Sequence, residues 1–128
     1  MLLMGLMAAA LQVPAAPTLQ EPLIYFGFDS AEPLQDSAAA LASVIDLSLR
    51  GPASTITITS HTDTAGSASY NLDLSRRRAV AIRDRLVAAG VSSEKITLRP
   101  MGEEQLARPT ADNTVEPLNR RAWVDISW

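Results

Sequence analysis

The hydrophobic and polar positions of the chain repeat with two different periods, which together predict a β-α-β-α-β-β order of elements. Alternating or β-branched apolar runs predict strands, and apolar residues three to four positions apart predict helices. The predicted strands cover residues 23–28, 54–60, 95–98 and 121–128, and the predicted helices cover residues 37–49 and 69–89. This order predicts an α/β domain of the α+β type, with a mixed sheet and both helices packed on one face.

Turn residues separate these elements. Gly51-Pro52 follows the first predicted helix and stops it, and Gly90 follows the second, where it predicts a left-handed cap. Residues 100–117 are polar and contain several prolines, so they are expected to form a long surface loop.

The first 22 residues differ from the rest of the chain. MLLMGLMAAAL is uncharged and apolar, and a stretch rich in proline and alanine follows it. A membrane span needs roughly 20 helical residues, so this run is too short for one but suits the apolar part of a secretory signal. No Lys or Arg precedes it, so the true start lies upstream or the segment is a tail. We therefore expect a signal peptide or tail and linker at residues 1–22 and one domain at residues 23–128.

Composition narrows the classes of function. The 128 residues are 47% hydrophobic but only 5% aromatic, which favours a globular domain with an aliphatic core. The formal net charge of −3 has the wrong sign for a nucleic-acid binder. The absence of cysteine excludes disulfides and thiolate metal sites, and a single histidine makes a metal site improbable. The sequence thus predicts no cofactor and no metal.

The second predicted helix carries the most informative charges, five arginines on 21 residues. At 100° per residue, Arg78 lies about 40° from Ile82, which makes it the arginine nearest the apolar stripe. A guanidinium there needs an anionic partner, and Asp63 lies in the loop that leads into the helix. Asn71 lies on the same side. Two interpretations follow: an internal Asp63–Arg78 ion pair, or a carboxylate and a guanidinium that together receive a zwitterion.

The same region resembles a known family. His61-Thr62-Asp63, the helix start YNLDLSRRRA, the exit GVSSEKI and the closing LNRRAWVDI agree in order with the OmpA-like, peptidoglycan-associating domains, and YFGFDS resembles their opening segment. The resemblance spans about residues 23 to 127. It implies non-covalent binding of peptidoglycan through the meso-diaminopimelate of the stem peptide. It also implies a place on the periplasmic side of a Gram-negative envelope, associated with the outer membrane.

The resemblance also implies which residues bind. Asp63 and Arg78 match the two principal contacts of the family, and Thr62, Asn71 and Arg120 match supporting ones. Three departures stand out, one of which is Ser60 in place of the usual Gly before His-Thr-Asp. Gly27 occupies a position where many members carry an acidic residue, and the loop before Asn119 is shorter than the family's and lacks its Gly-Arg pair.

The sequence leaves two alternatives to peptidoglycan binding, a protein-interaction module and a hydrolase. A domain of the same fold could act instead as a periplasmic protein-interaction module, with envelope proteins as partners. Hydrolysis is disfavoured, because His61 and Asp63 are two residues apart and do not form a triad by default. The pair Asp29-Ser30 is interpreted as a helix-capping turn rather than a ligand contact. We therefore expect a binding protein and not an enzyme.

Overall fold

A computed structural model describes residues 22–50 and 55–127. Four strands and two α-helices form the domain: β1 (Leu23–Tyr25), α1 (Ala38–Arg50), β2 (Thr55–His61), α2 (Ala68–Ala88), β3 (Ile96–Gly102) and β4 (Arg121–Ser127). Short 3-10 helices precede α1, β3 and β4. The predicted order of elements is confirmed.

The four strands form one mixed sheet in the order β1-β4-β2-β3. Strand β4 is antiparallel to both β1 and β2, whereas β2 and β3 are parallel, with α2 connecting them. A parallel pair needs such a crossover, because its second strand must start at the same end of the sheet as the first. Strand β2 ends, and the antiparallel strand β4 begins, at the end of the sheet where α2 starts.

Both helices cover the same face of the sheet, and the hydrophobic core lies between them and the strands. The core residues are aliphatic apart from one phenylalanine, which agrees with the low aromatic content. They come from every strand except β3, from the residue that follows β1, from both helices and from the turn after α2: Ile24, Phe26, Leu41, Val44, Ile56, Ile58, Ala79, Ile82, Leu86, Val91, Ala122 and Val124. The predicted fold class, a mixed sheet with helices on one face, is confirmed.

The alternate strand residues point away from the helices and form what we call the outer face. Strand register places its members in rows: Leu23 pairs with Trp123, Trp123 with Thr59, and Thr59 with Arg99. Tyr25 and Arg121 form the adjacent row. No described helix covers this face, so these side chains stay half-buried or exposed.

Two strands differ in length from their prediction. β1 ends at Tyr25 and not at residue 28, because the chain turns immediately afterwards: Ser30 N–H donates to the Gly27 carbonyl, and Asp29 has a φ of 51°. β3 continues past residue 98 and includes Pro100. A proline is compatible with this strand because β3 lies at the edge of the sheet.

The ends of α2 follow their sequence signals closely. Ser67 caps the N-terminus by accepting a hydrogen bond from the Tyr70 N–H. Gly90, with a φ of 111°, follows the C-terminus, and Val91 N–H donates back to the Leu86 carbonyl. The left-handed cap predicted at Gly90 is confirmed.

Three sequence-based interpretations fall outside the described residues. They concern the segment preceding residue 22, the stop at Gly51-Pro52, and Trp128 at the end of the last strand. Within residues 22–50 and 55–127, no helix combines the length and the apolar character that crossing a bilayer requires.

Candidate functional site

A pocket of about 200 Å³ lies where the turn after β1, the turn between β2 and α2, and the start of β4 meet. We call it the charged pocket, because it holds two carboxylates and two guanidiniums. Its lining residues are Phe28, Asp29, Asp63, Ala65, Gly66, Tyr70, Asn71, Leu74, Arg78 and Arg120. It is located beside the N-terminal turns of α2, as the sequence pattern predicted.

Arg78 projects from α2 into the base of this pocket and is 0% exposed. Its guanidinium donates to three backbone carbonyls: Nε to Ser30 at 2.8 Å, Nη1 to His61 at 2.9 Å and Nη2 to Gly27 at 3.1 Å. The guanidinium also lies over the Phe26 ring, 5.0 Å from its centroid. Because a guanidinium has five N–H donors, these three bonds leave two donors for another acceptor.

Burial lowers the pKa of Arg78 to about 10, and the negative charge of Asp63 opposes this shift. Among the described residues, backbone carbonyls hold this guanidinium and no carboxylate pairs with it directly. An incoming carboxylate would therefore gain more from this group than from an exposed arginine.

Asp63 lies two residues after the end of β2 and is only 4% exposed. Its Oδ2 accepts from Arg120 Nη1 at 3.2 Å and from the Glu116 N–H at 3.3 Å, whereas Oδ1 accepts a single bond, from the Ala65 N–H at 3.3 Å. The internal Asp63–Arg78 ion pair, one of the two interpretations of the sequence, is not formed. Asp63 pairs with Arg120 instead, since the carbonyls around Arg78 hold that guanidinium in place.

Four of the five predicted contacts come together in the pocket: Asp63, Arg78, Asn71 and Arg120. The Asn71 amide donates to the carbonyls of Asp63 and Ala65 and to the Glu103 carboxylate, so it fixes the turn that carries Asp63. Arg120 Nε donates to the Phe26 carbonyl, which places its guanidinium between β1 and Asp63.

Thr62 is the exception among the predicted contacts. It is 1% exposed, and its hydroxyl donates to the carbonyl of Asp63 at 2.8 Å while its N–H donates to the Gly102 carbonyl. It does not line the pocket. Its contacts therefore support the backbone on which Asp63 stands.

Sequence reasoning missed three residues at the mouth of the pocket. Asp29 accepts a hydrogen bond from the Tyr70 hydroxyl, and Phe28 and Tyr70 are exposed aromatic rings beside it. The interpretation of Asp29-Ser30 as a helix-capping turn is wrong, because α1 begins only at Ala38, after a 3-10 turn. The family resemblance was the signal that could have identified them, since Phe28 and Asp29 lie in YFGFDS and Tyr70 begins YNLDLSRRRA.

The His61 side chain does not line the pocket, although its carbonyl accepts from Arg78. Its Nδ1 lies 3.0 Å from the Glu104 carbonyl, so Nδ1 carries the hydrogen, and the ring faces the loop that follows β3. It therefore steadies that loop. Among the described residues no group of His, Asp and Glu side chains is arranged to hold a metal ion.

The sequence and the fold are similar to those of known proteins. A model of the OmpA family matches residues 25–120. Outer membrane porin F of Pseudomonas aeruginosa is 34% identical over 107 residues, and the peptidoglycan-associated lipoprotein of Brucella melitensis is 34% identical over 99 residues. The crystal structure of the peptidoglycan-associated lipoprotein from Burkholderia pseudomallei superposes with a TM-score of 0.76 at 29% identity, covering 91% of this chain and 98% of that one. The chain belongs to the OmpA family.

The extent of these matches differs between relatives. The porin F match includes 80% of this chain but 30% of the porin, and the Brucella lipoprotein match includes 77% of this chain and 59% of the lipoprotein. The chain therefore spans a minority of the porin's length. The similarity concerns the OmpA-like domain and not the whole of either relative.

Proposed function

We propose that this protein binds peptidoglycan non-covalently, through the diaminopimelate of the stem peptide, and thereby tethers the envelope to the wall without catalysing a reaction. The observation that carries the proposal is the charged pocket, where a buried guanidinium with two spare donors lies near a buried carboxylate with a spare acceptor.

The free end of a diaminopimelate side chain carries one ammonium and one carboxylate, which suits this arrangement. The carboxylate would accept from Arg78, and the ammonium would donate to Asp63 Oδ1, with Asp29 as a second carboxylate at the pocket mouth. Asp29 thus supplies an acid near the ligand amine although Gly27 lacks one. Arg120 and Asn71 would hold Asp63 in position, and Thr62 would support the same turn.

Membership of the OmpA family supports this function, since two of the relatives are named as peptidoglycan-associated lipoproteins. Others are named as outer membrane proteins, which supports a location in the Gram-negative envelope. Within the proposal, the domain faces the periplasm, where the wall lies. Within the proposal, residues 23–128 form the binding domain, and the apolar segment at residues 1–22 serves as signal or linker.

Retention on isolated sacculi tests the function. The protein should sediment with sacculi whose stem peptides contain diaminopimelate, and free diaminopimelate should release it. Sedimentation that free diaminopimelate leaves unchanged would contradict the proposed pocket. No sedimentation at all would favour the alternative, a protein-interaction module of the same fold.

Calorimetry with three muropeptides tests the zwitterion directly. The diaminopimelate form should bind best. The lysine form keeps the amine but offers Arg78 no carboxylate, and the amidated form offers it a neutral group, so each should lose a few kcal/mol. Equal affinities for the three forms would show that the pocket does not recognise a zwitterion.

A further inference from the structure

A second cavity lies on the opposite side of the sheet from the helices. The outer face and the loop after β3 enclose a cleft of about 450 Å³, whose walls include Tyr25, His61, Gln105, Arg121 and Trp123. We call it the outer cleft. It shares no lining residue with the charged pocket, so the proposed function leaves it unused.

The outer cleft is positively charged although the chain carries a formal net charge of −3. Arg121 is half-buried and donates only to the Gln105 carbonyl, at 3.1 Å, and the exposed Arg99 lies nearby on β3. Neither guanidinium pairs with a carboxylate of the described residues. Both are close enough to His61 to add to the lowering of its pKa that burial causes.

Strand register orders the cleft and its neighbours along a line across the sheet. Leu23, Trp123, Thr59 and Arg99 occupy successive strands, and Tyr25 and Arg121 run alongside. Three interstrand spacings give a length of about 14 Å, which corresponds to about four residues of extended peptide. Aromatic rings lie toward one end of this line and a free guanidinium at the other.

We propose that the outer cleft binds an extended, carboxylate-rich peptide segment of a partner protein. Carboxylates of the segment would accept paired hydrogen bonds from Arg121 and Arg99, since neither guanidinium pairs with a carboxylate within residues 22–50 and 55–127. The methylene groups of the segment would contact Tyr25 and Trp123. The favoured ligand is acidic and not a neutral sugar chain, because a neutral ligand would leave both guanidiniums without an anion.

Titration of the full chain with two synthetic peptides tests this proposal. Acetylated and amidated tetraglutamate should bind at least tenfold more tightly than the matched tetraglutamine. NMR shift changes should concentrate at β4, the end of β2 and the loop around Gln105. Equal affinity for the two peptides, or shift changes centred on the charged pocket, would overturn it.

Charge-matched variants make the test specific. Arg121→Gln and Arg99→Gln should each weaken tetraglutamate binding about tenfold, whereas Arg76→Gln removes one charge from an exposed position of α2 and should change nothing. An equal loss of tetraglutamate affinity in Arg76→Gln would show that positive charge anywhere on the domain attracts the peptide, and would overturn the outer cleft as its site. Peptide-free glycan strands that produce the same shift changes, unaffected by Arg121→Gln, would assign the cleft to sugar instead.

Asp63→Asn separates this proposal from the proposed function. That variant should lose diaminopimelate binding and keep tetraglutamate binding, because Asp63 lines only the charged pocket. Loss of both would show that the two surfaces are not independent and would overturn the outer cleft as a separate site.

Discussion

The charged pocket and the outer cleft are built from neighbouring residues of the same strand ends. Phe26 and Arg120 turn toward Arg78 and the pocket, and the adjacent Tyr25 and Arg121 turn toward the cleft. In the pocket each charge is engaged: Arg78 by three carbonyls and Asp63 by Arg120 and two N–H groups. At the cleft, neither Arg121 nor the neighbouring Arg99 pairs with a carboxylate of the residues that the structure describes.

Burial explains this difference. A charge removed from water is costly unless polar groups surround it, so the pocket charges need their partners for the domain to fold. The cleft charges keep contact with water and need none. The pocket is therefore coupled to stability, whereas the cleft can change with little effect on the fold.

The largest expected effect compares Arg78 with Arg121. Arg78→Ala leaves three inward-facing carbonyls without a donor and a void beside Phe26, so it should lower the free energy of unfolding by about 3 kcal/mol or more. Arg121→Ala should cost about 1 kcal/mol or less, because it removes a single hydrogen bond. Urea unfolding without ligand measures both.

Arg78→Lys serves as the control for that pair. It keeps the charge but cannot donate to three carbonyls in one plane, so its loss of stability should lie between those of Arg78→Ala and Arg121→Ala. If the alanine variants of Arg78 and Arg121 lost equal stability, the coupling of the pocket to folding would be disproved.

The next effect concerns binding and compares two aspartates. Asp63→Asn removes the carboxylate that would face the ligand ammonium, so affinity for a diaminopimelate muropeptide should fall by about 2–4 kcal/mol. Asp125→Asn makes the same change of charge at an exposed position of β4 and should leave affinity unaltered. Calorimetry on the folded variants measures both affinities. A loss in Asp63→Asn alone indicates a local contact, whereas an equal loss in both variants would indicate a long-range effect of net charge.

The fold and most of the pocket could be predicted from the sequence, for physical reasons that Arg78, Asp63 and Asn71 illustrate. Helical periodicity alone pointed Arg78 toward the core, and ordered motifs placed Asp63 and Asn71 beside it. The partner of Asp63 could not be predicted, because Arg120 is 57 positions away and reaches it only through the antiparallel pairing of β2 with β4. Asp29 was misinterpreted because its φ of 51° creates a turn that periodicity does not report.

A smaller effect concerns the outer cleft, whose lining residue His61 should make stability depend on pH. Burial and the nearby Arg121 lower the pKa of His61 below its ordinary value of 6.5. The unfolded chain therefore takes up a proton first, and stability should fall as the pH drops through about 6.5, by at most about 1.4 kcal/mol per pH unit. His61→Gln should flatten the difference in stability between pH 7 and pH 5. An opposite slope would place a carboxylate and not Arg121 beside the ring.

The smallest effect concerns Gly27, the position where the family resemblance leads us to expect an acidic residue. A side chain fits there without strain, since a Cβ atom would lie 3.8 Å from Leu34 Cδ2 and from Ser30 Cβ. Asp29 already supplies a carboxylate at the pocket mouth, so Gly27→Asp should tighten binding of the diaminopimelate muropeptide by no more than about 1 kcal/mol. Gly27→Asn is the neutral control and should give no gain. Weaker binding by a folded Gly27→Asp protein, or an equal gain with asparagine, would show that charge at this position does not reach the ligand amine.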